Sequence, residues 1–193
     1  MYIPLCGGFV RLCVFAPAAF WILAVSEGIL PFLCMASAAL AHESGHLAAI
    51  KLAGCKVTRV TVYPFGGLIE CTAAGDARGE AFVAAGGIAA NAVCAFAGGV
   101  IFCFFRNAYV LLFVFSSLFF ALTNLLPLNT SDGGRLLYLF CETRRGAEYA
   151  QKVCSRADKA AKAAALSLAA LILWLSDFNN GLCVVLLIAA MPK

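Results

Sequence analysis

Charge is what this sequence has least of. Asp, Glu, Lys and Arg make up 12% of its 193 residues and hydrophobic residues 63%, against about 25% and 45–50% in a soluble domain. With a mean hydropathy of +0.94, the chain has too little polar surface to cover a water-soluble core. The shortage is uneven: residues 81–105 and 107–126 carry no charge at all, and each is close to the ~20 residues that cross the hydrocarbon of a bilayer. The ten cysteines contain no C-x-x-C. Cys13, Cys34, Cys94, Cys103 and Cys183 fall within apolar stretches, where small buried thiols need no partner. A disulfide scaffold and a cysteine metal site are therefore not expected. Internal repeats and low-complexity segments are missing too, and histidine occurs only twice.

Six membrane spans are predicted, at about 9–26, 28–50, 81–105, 108–126, 160–176 and 178–191. The turn signal Asp177-Phe178-Asn179-Asn180-Gly181 separates the last two. A single span over 163–191 is the other reading, and it would move the C-terminus across the membrane. Lys and Arg orient the set, because they accumulate on the cytoplasmic side. With six spans and a cytoplasmic N-terminus, Arg106 alone of 14 basic residues falls outside, and both termini are cytoplasmic. The net charge of +4 is thus an inside-positive signature that requires no nucleic acid. Ala24-Val25-Ser26 resembles a signal cleavage site, but Arg11 is the only early charge and the n-region is weak.

The connections leave little room for further domains, so residues 1–193 are expected to form one domain. In the cytoplasmic stretch 54–79, Val57-Thr58-Arg59-Val60-Thr61-Val62-Tyr63 alternates as a strand does. Pro64-Phe65-Gly66-Gly67 then turns the chain, and Leu68–Thr72 returns as a second strand. Residues 135–162 read as a charged cytoplasmic helix with a solvated face. The expected fold is all-α and polytopic: six transmembrane helices, with a small cytoplasmic β-hairpin between the second and third.

Both histidines lie in one run, His42-Glu43-Ser44-Gly45-His46, in the second predicted span. On a helix, i and i+4 share a face, so the two imidazoles converge on one point. Glu43 lies beside that face, within reach of a water at a metal held there. A carboxylate in a membrane-length segment is costly and usually marks a function. Catalytic zinc keeps three protein ligands and one open position. With no third histidine, Asp132 is the candidate: it follows Pro127, which ends the fourth predicted span, and precedes Gly133-Gly134. The charge rule brings the ends of the second and fourth spans to the same cytoplasmic side.

Taken together, these residues resemble the site-2 protease family of intramembrane zinc metalloproteases. The resemblance covers about residues 28–140. It rests on the H-E-x-x-H helix, on Asn124-x-x-Pro127-x-x-x-x-Asp132-Gly133, and on Gly86-Gly87-Ile88-Ala89-Ala90-Asn91. Tyr63-Pro64-Phe65-Gly66-Gly67 is similar to a segment of the stage IV sporulation protein FB subgroup. The chain departs from the family at Asn129-Thr130-Ser131, where many members have a second proline, and at Ile88, which replaces a common proline. No PDZ or CBS domain fits in the chain, and 160–191 would be a C-terminal helical pair.

The resemblance implies peptide-bond hydrolysis in a multi-pass protein of a bacterial cell membrane, with one zinc ion per chain. His42, His46 and Asp132 would be the ligands, and Glu43 the general base. Asn91 and Asn124 would bind substrate or orient the site. Expected substrates are membrane-anchored or membrane-associated proteins cut near the cytoplasmic face in regulated intramembrane proteolysis, possible links being sporulation and a membrane regulatory partner. An extended substrate could add to the strand near 57–63 or 68–72. Two alternatives belong to other classes: a membrane zinc transporter, and a catalytically inactive relative that binds membrane helices. The first needs further intramembrane ligands, whereas the third and fourth spans offer only Asn, Ser and Thr.

Overall fold

The structure is a computed structural model that describes residues 2–5, 8–12, 28–63, 66–71 and 76–175. Within them the chain forms β1 (Tyr2–Leu5), β2 (Gly8–Leu12), α1 (Ile29–Leu52), β3 (Val57–Tyr63) and β4 (Gly66–Cys71). Four helices follow: α2 (Ala77–Phe105), α3 (Ala108–Leu125), α4 (Asp132–Arg145) and α5 (Ala147–Leu175). Two compact units result, residues 1–125 and 126–193.

In the first unit α1, α2 and α3 pack on one another in all three pairings. Their burial pattern inverts that of a water-soluble bundle. Ile50 apart, the buried positions are small or polar, among them Ala38, Ala49, Ala84, Asn91, Ala95, Ser116 and Ser117. Leu40, Leu47, Phe82, Phe96, Phe104, Phe105, Phe115 and Leu122 are exposed. Large exposed apolar surfaces mark contact with protein or lipid, and small residues let membrane helices approach closely. Among the described residues, α2 and α3 are the two helices long and apolar enough to cross a membrane.

The ends of α2 explain why it starts before the uncharged run. The Asp76 side chain accepts a hydrogen bond from Gly79 N (2.8 Å), and Glu80 lies in the first turn. Both favour the helix N-terminus, so the helix begins at Ala77 rather than at residue 81. It stops at Arg106, whose left-handed φ of 48° is the one positive non-glycine value among the described residues. The Arg106 guanidinium lies 5.7 Å over the Phe102 ring. Asn107 Oδ1 then accepts from Tyr109 N (2.8 Å) and starts α3.

The strand order is β1-β2-β3-β4. β3 pairs in parallel with β2 and antiparallel with β4, with a register irregularity between Val57 and Arg59. With a neighbour on each side, β3 offers no edge, whereas β4 is terminal in the sheet. Residues 9–12, predicted to begin the first span, instead lie in β2, paired to β1 and β3. This segment of five residues includes Arg11, and backbone pairing on two sides outweighs its apolar content. The rest of that predicted span, residues 13–27, lies outside the described residues, as does the turn at 64–65.

The second unit pairs α4 with α5. The predicted charged helix is present but breaks at Gly146, whose φ of 85° favours glycine. α5 then runs unbroken to Leu175, so the predicted fifth span is the far half of a helix that begins charged. Ala150, Cys154 and Asp158 recur every four residues and are buried, as are Leu139 and Cys141 on α4. Residues 176–193, with the predicted sixth span, are outside the described residues.

Candidate metal centre

α1 places His42 and His46 one turn apart, and their Nε2 atoms are 3.1 Å apart. The rings meet edge to face, at 84°. Two nitrogens at 2.0–2.1 Å from a tetrahedral ion would be about 3.3 Å apart. The spacing therefore suits a shared ion with little adjustment.

The neighbours of the two rings define their protons. His46 Nδ1 is 2.8 Å from Val83 O, and a carbonyl only accepts, so Nδ1 carries the hydrogen. In a neutral ring Nε2 is then a lone pair aimed at His42. His42 Nε2–H completes that contact, and Asn91 Nδ2 donates to His42 Nδ1 (3.3 Å). Asn91 is fully buried, and its Oδ1 has no hydrogen-bond partner. If the amide turned over, Oδ1 would accept from His42 Nδ1–H and free the Nε2 of His42 for a metal. A histidine ligand commonly donates its other N–H in this way.

Glycine makes the space. A Cβ on Gly87 would lie 2.7 Å from His42 Nε2 and also strike His46 Nε2, so a side chain there would occupy the ligand face. At the adjacent positions, Gly45 of α1 and Gly86 of α2 face each other closely enough that a Cβ on Gly86 would fall 2.7 Å from Gly45 O. The G-G pair was legible as a motif in the sequence; that Gly87 clears the imidazoles was not, because it depends on the register between two helices.

Asp132 is the first residue of α4. Ser131 caps that helix through Gly134 N (3.1 Å). A Cβ on Gly134 would collide with the Leu128 backbone, so the loop closes tightly under the helix start. His42 and His46 belong to the first unit and Asp132 to the second; His42 is buried, and His46 and Asp132 are half-buried. Glu43 is half-buried on α1 beside His42. Asn124 Nδ2 donates to Phe120 O (3.0 Å) inside α3.

The fold has a counterpart among solved structures. The site-2 protease from Methanocaldococcus jannaschii superposes with a TM-score of 0.64 at 20% identity, over 98% of this chain and 89% of that one. This chain therefore has a site-2 protease-like fold with a possible metal site, and at that identity the likeness shows the fold alone. No protein-family model and no curated protein matches the sequence.

Proposed function

We propose that this chain is a zinc-dependent intramembrane endopeptidase. The observation that carries this reading is the His42–His46 pair, with Nε2 atoms 3.1 Å apart, on a helix whose outward face is apolar and whose next residue after His42 is a carboxylate. Two imidazoles and one carboxylate are a donor set that catalytic zinc uses, and the Val83 carbonyl supplies the orienting bond expected of a ligand histidine. The site-2 protease-like fold supports the same reading.

His42, His46 and Asp132 would hold the ion. When bound, zinc would polarise the scissile carbonyl and lower the pKa of water towards ~7. Glu43 takes the proton from the attacking water and returns it to the departing amine nitrogen. With its amide turned so that Oδ1 accepts from His42 Nδ1–H, Asn91 would hold His42 in the ligating tautomer. Asn124 binds the substrate backbone once its amide leaves Phe120 O. A substrate helix must unwind before cleavage, and the free edge of β4 would receive the extended segment by strand addition.

The six-span topology with cytoplasmic termini belongs to this proposal. So do the stage IV sporulation protein FB subgroup and membrane-anchored substrates cut near the cytoplasmic face. The decisive test of the ligand set is zinc content per purified chain. His46→Ala and Asp132→Ala should lose both zinc and cleavage of a membrane-anchored test substrate. Full zinc retention in both variants would exclude this ligand set.

A further inference from the structure

The loop that leads into α4 is held from two directions. From within, Ser131 Oγ bonds the carbonyls of Leu126 and Leu128 (the latter at 3.0 Å) and accepts from Gly134 N. Ser131 N also donates to Leu128 O (3.1 Å). From outside the loop, Asp158 on α5 accepts from the backbone N of Asn129 through Oδ1 (2.9 Å). Its other oxygen, Oδ2, accepts from Lys162 Nζ (2.8 Å).

Asp158 is buried, at 6% exposure. A buried carboxylate is costly unless it is paired and hydrogen-bonded. Here both oxygens are used, one for charge and the other for a backbone N–H three residues before Asp132. Lys162 is a helix neighbour one turn along and would suffice for a solvated ion pair. It does not account for burying the carboxylate against the loop.

We propose that Asp158 is a positioning residue for Asp132. It ties the 126–131 loop to α5, so that the carboxylate at the start of α4 is presented in one orientation to the metal. The proposal rests on the reading of Asp132 as a metal ligand. It gives α5, which carries none of the site's chemistry, a part in assembling the site.

The test uses the full chain in detergent and reads metal binding rather than turnover. Zn2+ affinity is measured by competition with a chromophoric chelator, and ligand geometry by the visible absorption of the Co2+-loaded protein. Asp158→Ala should weaken Zn2+ binding ~10–100-fold, the usual effect of losing a group that orients a ligand, and should alter the Co2+ bands. Asp158→Asn keeps an acceptor for Asn129 N–H, and Lys162→Met keeps the loop bond; both should stay within about threefold of the parent. Asn129→Pro deletes the N–H while leaving the Asp158–Lys162 pair, and should reproduce Asp158→Ala even if the latter folds poorly. Parent-like affinity and Co2+ bands in both Asp158→Ala and Asn129→Pro would overturn the proposal. So would a loss in Lys162→Met equal to that in Asp158→Ala. Asp132→Ala is the reference: if it binds Zn2+ as the parent does, the ligand assignment itself has failed, an outcome distinct from failure of the tie alone.

Discussion

The amide nitrogen of Asn91 lies 3.3 Å from Nδ1 of His42, across the contact between α1 and α2. In the proposed site this polar residue on an apolar helix would set which nitrogen of His42 carries the proton, with Oδ1 turned to accept from Nδ1–H. Asn91→Ala should weaken Zn2+ binding by ~10–100-fold. Asn91→Asp, which can only accept when ionised, should restore most of it. Chelator competition measures both, and an unchanged affinity in the alanine variant would remove Asn91 from the site.

Gly87→Ala should impair metal binding without removing any ligand. Overpacking a close contact costs about 1–3 kcal/mol. Here the contact is with His42 and His46, so the loss should be read as roughly tenfold or more in Zn2+ affinity, at 1.4 kcal/mol per decade. Gly99 is the control: a Cβ there meets nothing within 4 Å, and Gly99→Ala should bind as the parent does.

Protonation of Asp158 should cost stability in acid. The hydrogen bond from Lys162, followed by that from Asn129 N, holds its carboxyl below the usual carboxylate range, against the opposing effect of burial. A depressed folded-state value means that the contribution is complete above the unfolded value of ~3.9 and is lost as pH falls through the folded one. Thermal unfolding of metal-free protein below pH ~4 should show this extra loss in the parent. Asp158→Asn, which does not titrate, should show less of it.

The proposed topology rests on the bias of Lys and Arg toward one side. Reporter fusions at Gly75, Asn107, Gly146 and Asn179 should report inside, outside, inside and outside. An outward signal at Gly146 would contradict the inside-positive assignment.

Much of the candidate site was legible in the sequence because its signals are local. The i, i+4 spacing of His42 and His46 survives in any helix, and Pro127 with Gly133-Gly134 marks a sharp loop wherever it lies. α1 was expected over 28–50 and spans Ile29–Leu52. What the sequence did not reveal depends on partners far along the chain. Val83 contributes a backbone carbonyl, which leaves no trace in residue type. Asp158 read as part of a solvated face, yet it is buried, because a hydrogen bond from Asn129, 29 residues earlier, turns that face inward. The start of the first predicted span became β2 through pairing with β3, almost fifty residues on.

In the proposed mechanism Glu43 is a base and not a ligand. Glu43→Gln therefore separates chemistry from metal binding. Zinc content per purified chain and cleavage of a membrane-anchored substrate should be measured on the same preparation. Glu43→Gln should keep parent-like zinc content while cleavage falls below detection. Full cleavage in Glu43→Gln would contradict the protease reading, and loss of zinc together with cleavage would contradict the role assigned to Glu43.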